Sequence, residues 1–512
     1  MSSENNKRIA KNTAMLYFRM LFTMAVSLYT SRVILNTLGV EDFGIYNVVG
    51  GVVMMFSFLN NAMSSGTQRF LSFELGKKDY EQLKRVFSMS INIHATIAIV
   101  IFLLAETIGL WFLNTQLTIP EERMVAANWV YQFSIFAFIV TIMSVPYNAS
   151  IISHERMNIF AYVSIIEVTL KLAIVFMLQW FGFDKLKLYA ILVFFVSLII
   201  RLIYGIYCKR SFNECNYFLF WDKKLYNILL SYAGWNLWGN IAGVMMNQGI
   251  NILLNIFFGP VVNAARGIAY QINGAVNSFV SNFQTAMNPQ IVKSYASNNK
   301  EYMHKLIYKG AKYSYYLLFM LSLPVIIETE SILTWWLKIV PEHSVLFCRL
   351  ILINALIDCI SGPLMTAAQA SGKIKVYQSI VGGLLLSILP ISYVLLKLGY
   401  PAETTIYVNI FISVIALVFR LFIISPLVSL KKGMFLQKVI IKILLVTLLS
   451  IVVPYLCFLQ ISNEIIRFFS VFITSIASAF SIIYFIGIES EERLLIKNKL
   501  TLLLTKLRSK DK

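Results

Sequence analysis

Apolar runs long enough to cross a bilayer recur about fourteen times along the 512 residues, and no other feature restricts the fold so severely. A hydrocarbon core about 30 Å thick is crossed by about 20 apolar residues in an α-helix. Inside it no water satisfies backbone N–H and C=O groups, so a span must be a helix or part of a closed barrel. Barrel strands need only about 10 residues of alternating pattern, so continuous runs of this length predict helices. The predicted spans are 14–37, 45–71, 86–113, 125–152, 160–181, 188–207, 231–258, 264–291, 313–337, 345–370, 377–396, 405–424, 439–459 and 468–488. Only 13% of residues are charged, against about a quarter in soluble domains. The expected fold class is an all-α integral membrane protein.

The formal net charge of +19 raises nucleic acid as a partner, and its placement excludes it. With a cytoplasmic N-terminus, the cytoplasmic segments hold 29 of the 44 Lys and Arg. The opposite side holds six: Arg123, Lys185, Lys187, Lys338, Lys397 and Arg467. This asymmetry is the positive-inside rule, with both termini cytoplasmic. Basic residues spread over many short loops make no nucleic-acid face. The opening MSSENNKRIAKN is too polar for a signal peptide, so the first helix is expected to be retained. The five cysteines and four histidines are scattered, which predicts no disulfide framework, no metal site and no cofactor.

Nearly all loops are short, so function must reside among the helices. The longest cytoplasmic connection, 208–230, carries the run Tyr217, Phe218, Leu219, Phe220, Trp221 followed by Lys223 and Lys224, an aromatic and basic interfacial anchor. It separates six spans from the next six. Sliding the second span onto the eighth by 223 positions pairs Gly44 with Gly267, Gly51 with Gly274 and Lys77 with Lys300; sliding the fourth onto the tenth by 217 pairs Pro146 with Pro363. Both shifts relate spans six apart, as a parallel repeat of two six-helix lobes about an axis along the membrane normal would. The expected organisation is an N-terminal lobe (1–207), an inter-lobe linker (208–230), a C-terminal lobe (231–430), two further helices (431–488) and an amphipathic surface tail (489–512).

An ionised side chain at the centre of a spanning helix costs at least about 2.5 to 3.5 kcal/mol, so each needs a reason. Nine basic residues lie within spans, against five acidic ones: Glu106, Glu167, Glu328, Glu330 and Asp358. Arg69, Arg420 and Lys442 fall near the cytoplasmic ends, and Arg266 and Arg349 near the outer ends, where snorkelling can relieve them. Lys171, Glu167 and Asp358 fall near the midplane. Glu167 and Lys171 stand four apart, the acid nearer the N-terminus, as an internal ion pair would. Arg19 and Arg32, thirteen apart, are separated by about 220° on a straight helix and share one cavity only if it bends. Polar stripes run along the second helix (Ser57, Asn61, Ser64, Gln68), the seventh (Asn236, Asn240, Asn247, Asn251, Asn255) and the eighth (Asn273, Asn277, Gln284, Asn288). Such stripes serve either interhelical hydrogen bonds in close-packed helices or a hydrated wall able to bind sugar hydroxyls.

The stretch Leu38, Gly39, Val40, Glu41, Asp42, Phe43, Gly44, with the polar second helix ending in Thr67, Gln68, Arg69, resembles the opening of Wzx-type polysaccharide flippases. These belong to the MOP superfamily, with the lipid II flippases and MATE drug exporters. The resemblance covers about 7–430. It implies a flippase carrying undecaprenyl-pyrophosphate-linked oligosaccharide to the periplasmic leaflet by alternating access, with a polysaccharide polymerase and chain-length machinery as candidate partners. It also implies a cationic central cavity, for which Arg19, Arg32, Arg69, Lys171, Arg201 and Arg266 are the candidates. The amides Asn61, Asn240, Asn247, Asn251, Asn277 and Gln284 would form its polar wall. Glu167, Asp358 and His94 are candidates for proton or sodium coupling. Two rivals are a MATE-like cation antiporter, which needs a carboxylate-dominated cavity, and a membrane polysaccharide polymerase or ligase, which usually carries a sizeable outer loop.

Overall fold

The computed structural model describes residues 2–54, 57–115, 119–178, 180, 183–258, 260–337, 340–490 and 492–494. Among these, regular structure is entirely helical. The helices are α1 (Ser2–Met54), α2 (Ser57–Lys77), α3 (Tyr80–Leu104), α4 (Leu110–Thr115), α5 (Glu121–Ser153), α6 (Met157–Met177), α7 (Lys185–Ser211), α8 (Lys223–Phe258) and α9 (Pro260–Ala296). They continue as α10 (Lys300–Ile327), α11 (Thr329–Leu337), α12 (Ser344–Ser371), α13 (Lys375–Lys397), α14 (Thr404–Val428), α15 (Lys432–Phe435), α16 (Lys442–Gln460) and α17 (Glu464–Ile482). Most of the predicted amphipathic tail, 495–512, lies outside the described residues.

Among the described residues, eleven helical tracts are long and apolar enough to cross a membrane. The three predicted spans outside that set, the first, second and eighth, fall in α1, α2 and α9. These helices carry Arg19, Arg69 and Arg266 together with many amides and hydroxyls. Their low hydropathy has a physical meaning: they are the helices least suited to face lipid on every side.

Local chemistry sets the helix boundaries. Gly39 takes φ 82° and ψ 168° inside α1, a conformation open to a residue without Cβ, and it divides the first predicted span from the second. Asp42, just beyond, receives Arg123 Nε at 2.8 Å, and Arg123 Nη1 reaches Asp184 at 2.9 Å. Asp184 also caps α7, accepting from Leu186 and Lys187 N–H. Burial alone would raise the Asp184 carboxyl, but these hydrogen bonds hold it below its ordinary value. One Arg thus ties the first turn, α5 and α7 together at the end of the helices poor in basic residues.

The chain forms two compact units. Unit 1 comprises Met1–Val244, Thr285–Met303 and Thr366–Gly383; unit 2 comprises Met245–Gln284, His304–Met365 and Leu384–Lys512. The core of unit 1 joins Leu71, Leu83, Phe87, Ile93, Ile151 and Val175 from α2, α3, α5 and α6 with Leu178 just past α6 and Ile200 and Tyr204 of α7. The core of unit 2 joins Leu254, Ala265, Leu333, Phe347, Ile388 and Ile406 from α8, α9, α11, α12, α13 and α14. On α16 and α17, Leu448 and Ile473 are about two-thirds exposed, as suits helices bathed in lipid.

Candidate functional site

In unit 1, α1 and α6 pack side by side and bring Arg19 over the ring of Phe160, 4.7 Å from its centroid. Glu167 and Tyr204 are its charged or polar neighbours. Glu167 accepts Lys171 Nζ at 2.6 Å, as its spacing predicts, and both side chains stay more than a third exposed (37% and 38%). The pair is therefore formed without being sealed inside protein. On α7, Arg201 lies 3.9 Å above the ring of Tyr147. A Cβ at Gly205 would come within 2.8 Å of its guanidinium, so the glycine one turn on makes room for it. A guanidinium over an aromatic face gains about 0.5 to 2 kcal/mol and keeps its in-plane donors available.

In unit 2, Arg266 occupies the second turn of α9 and is only 4% exposed. Its guanidinium donates to the side-chain oxygens of Asn251 and Asn247, the latter at 3.2 Å. It also donates to the Tyr270 hydroxyl at 3.2 Å and stacks 4.4 Å from that ring. Asn247 and Asn251 lie one turn apart on α8, and Arg266 and Tyr270 one turn apart on α9. Every one of these partners is neutral. They orient the guanidinium and satisfy its donors, and none of these described partners carries a compensating negative charge, an arrangement chemically suited to an anion in a low-dielectric setting.

The remaining amides divide. Gln284 donates to Ser314 Oγ and Cys359 O, both at 3.0 Å, and a Cβ at Gly362 would collide with it at 2.2 Å. It is an interhelical bond of the close-packed kind. Asn240 is exposed and Asn277 half-buried. The side chains of Arg32 and Asn61 lie outside the described residues.

Arg69 is placed differently from Arg19 and Arg266. It donates from Nε to Gln369 O and from Nη2 to Ala370 O, both at 2.9 Å, between the rings of Phe70, Phe73 and Tyr232. Gln369 and Ala370 are in the last turn of α12, whose carbonyls have no partner within the helix. The chain then turns at Gly372, with φ 74°. Arg69 thus caps a helix C-terminus, where a positive charge also meets the helix dipole favourably.

Of the coupling candidates, His94 is fully buried on α3, with Nδ1 2.7 Å from Ser90 O. Its Nε2 has no hydrogen-bond partner among the described residues, and the side chain adjoins a small cavity lined by Thr67, Ser90, Leu229 and Ala233. Asp358 accepts from Asn354 at 2.9 Å and has Arg420 and Ser413 as neighbours; Arg420 donates to Ser361 Oγ at 3.0 Å. No cluster of three His, Cys, Asp or Glu suited to a metal occurs among the described residues.

Sequence reasoning missed the aromatic partners. Tyr270 was legible as the residue four after Arg266, but Phe160, Tyr147 and Tyr204 meet their arginines across helices and leave no local signal. It also missed Glu155, a lone acidic residue between His154 and Arg156 in the turn after the fourth span.

The family described as polysaccharide biosynthesis protein matches residues 9–295. The chain has no significant match among curated proteins. Several solved structures share its fold. A point mutant of a MATE protein superposes with a TM-score of 0.71 at 12% identity, covering 82% of this chain and 97% of that one. An outward-facing multidrug resistance MATE family transporter of the MOP superfamily gives 0.71 at 12% identity, with 83% and 96% covered. A MOP superfamily transporter from Pyrococcus furiosus, described by the reverse polarity of its binding pocket, gives 0.70 at 12% identity, again with 83% and 96% covered.

Proposed function

The chain belongs to the polysaccharide biosynthesis protein family, and on that premise we propose that it is a flippase for polyprenyl-pyrophosphate-linked oligosaccharide. It moves the lipid-linked sugar from the cytoplasmic to the periplasmic leaflet of a bacterial inner membrane, by alternating access, for O-antigen, capsule or exopolysaccharide assembly. The helix ends rich in Lys and Arg face the cytoplasm. A polymerase and chain-length machinery receive the product on the far side.

The observation that carries this reading is Arg266 in its cradle of neutral partners. A buried guanidinium held by amides can exchange them for the oxygens of a pyrophosphate without breaking an ion pair, and its planar fork binds such oxygens two at a time. Within unit 1, Arg19 and Arg201, each resting on an aromatic face, are cations of the same exchangeable kind. Neighbouring amides offer bonds to sugar hydroxyls. Proton or sodium coupling belongs to the same proposal, through Glu167, Asp358 or His94. Neutralising all three should abolish ion dependence, and unchanged ion dependence would reject them as its carriers.

The test is depletion of the protein in cells making the glycan. Lipid-linked oligosaccharide should accumulate on the cytoplasmic side and vanish from the periplasmic one; normal periplasmic arrival would refute the proposal. The MATE-type fold supports a second reading, export of organic cations. That chemistry wants free carboxylates, whereas Glu167 is paired with Lys171 and Asp358 has Arg420 beside it. Resistance to cationic drugs on overexpression would favour it.

A further inference from the structure

Within unit 1, residues before the linker grip the C-terminal ends of α9 and α12 at two separate points. The first is Glu155, in the turn between α5 and α6. Its side chain is 0% exposed and accepts Arg8 Nε at 2.7 Å and Lys293 Nζ at 2.6 Å, together with Gln290 Nε2 at 2.6 Å. Its backbone carbonyl accepts from Asn12 at 3.0 Å. The turn is rigid: Glu155 is left-handed, with φ 60°, and Arg156 N–H closes it onto Ile151 O at 3.0 Å, a Schellman-type ending. One carboxylate thus joins α1 and α9 to the α5–α6 turn.

The second point is Arg69, whose two bonds to the last carbonyls of α12 hold α2 against that helix end. Between the two points α2 and α9 touch backbone to backbone. A Cβ at Gly76 would lie 2.7 Å from Lys293 O and 2.8 Å from Ala296 Cβ. The seam needs a glycine there. Beneath it Ala286, one turn below Gln290, is fully buried against Leu16, Ile152 and Met157.

We propose that Glu155 and Arg69 form a two-point latch that holds unit 1 shut on its basic side and must release for substrate to enter from that side. This rests on the alternating-access reading. Both points bind second-half helix ends through groups that water can replace once the seam parts: a carboxylate with three donors, and a guanidinium on two carbonyls. Glu155→Gln leaves Lys293 without its carboxylate, and Lys293→Gln takes one of two cations from a fully buried carboxylate, so each single substitution should favour the parted state.

The test introduces Ala286→Cys into a chain whose five native cysteines are replaced, and follows its modification by a membrane-impermeant maleimide added to the basic side of sealed vesicles. The rate should rise about tenfold in Glu155→Gln and likewise in Lys293→Gln, a shift of about 1.4 kcal/mol in the opening equilibrium. It should rise further when Glu155→Gln and Arg69→Gln are combined. A second reporter, Ile388→Cys in the core of unit 2, should stay protected. Rates at position 286 unchanged in both single variants, or raised in only one, would overturn the latch. A variant that labels at both reporters is unfolded; Glu155→Asp, which keeps the charge and shortens its reach, then decides, with a rise at position 286 alone expected and no rise overturning it. Labelling needs no substrate. A chain with the latch response that moves no lipid-linked sugar would refute the flippase alone, and a transporting chain without the response would refute the latch alone.

Discussion

Arg69 and Arg266 are both buried arginines on helices too polar to count as simple apolar spans, yet they are held in opposite ways. Arg69 gives its donors to backbone carbonyls at the end of α12, a contact that breaks only if a helix moves. Arg266 gives its donors to side-chain amides and a phenol, which can turn aside while the backbone stays. The comparison teaches that burial of a cation in a membrane helix does not by itself identify a binding site. The partner set separates the two: backbone carbonyls hold Arg69, and neutral side chains that a ligand could displace hold Arg266, as the proposed pyrophosphate site requires.

The sharpest way to break the comparison is Arg266→Gln. It should leave the protein folded and lower the transport rate about 10- to 100-fold, the loss of one or more charge-assisted hydrogen bonds of about 1.5 to 3 kcal/mol to the substrate. Asn251→Asp should act in the same direction by supplying Arg266 with a resident counter-ion, lowering transport about tenfold while raising thermal stability. Arg69→Gln should instead cost about 1 to 3 kcal/mol of stability, because it leaves helix-end carbonyls without a donor. Denaturation of purified protein in detergent, beside the transport assay, separates the two behaviours. If Arg69→Gln were stable and inactive and Arg266→Gln unstable, the assignment would be reversed.

A smaller effect is expected where a pair is neither buried nor tied to backbone. Glu167 and Lys171 face each other while more than a third exposed, so replacing Lys171 by Met should change stability by less than about 1 kcal/mol. The smallest effect concerns Glu492, which receives Lys309 Nζ at 2.8 Å. Burial alone would raise its carboxyl, but hydrogen bonds from Lys309, Tyr313 and the Glu489 N–H hold it below the ordinary range. A carboxyl depressed in the folded state stabilises above its ordinary pKa and loses that contribution as pH falls through its folded value. The protection factors of amide exchange at 488–490 and 492–494, taken against the intrinsic exchange rate at each pH, should therefore fall below about pH 4 and stay constant between about 6 and 8.

The helical architecture was legible because bilayer thickness imposes a length on every span and the sequence meets it repeatedly. The three helices that fall short of an apolar span read from the sequence as spans like the others, marked only by the cations Arg19, Arg69 and Arg266. The Glu167–Lys171 pair followed from spacing along one helix. What the sequence could not show is which partner each charge finds across helices. Arg69 was grouped with the other cations because its type and depth match theirs, and only the carbonyls of Gln369 and Ala370, 300 positions away, set it apart. Glu155 escaped notice for the same reason: its partners Arg8, Gln290 and Lys293 are scattered over the chain, and no periodicity connects them.

The measurement closest to the central claim compares two substrates in proteoliposomes containing the purified protein: a polyprenyl-pyrophosphate-linked oligosaccharide, and the same glycan on the same lipid through an uncharged linkage. If Arg266 and its neutral cradle receive the pyrophosphate, the charged substrate should cross and the uncharged one should not, and Arg266→Gln should bring the first down to the level of the second. Equal transfer of both substrates, or a charged-substrate rate untouched by Arg266→Gln, would contradict it.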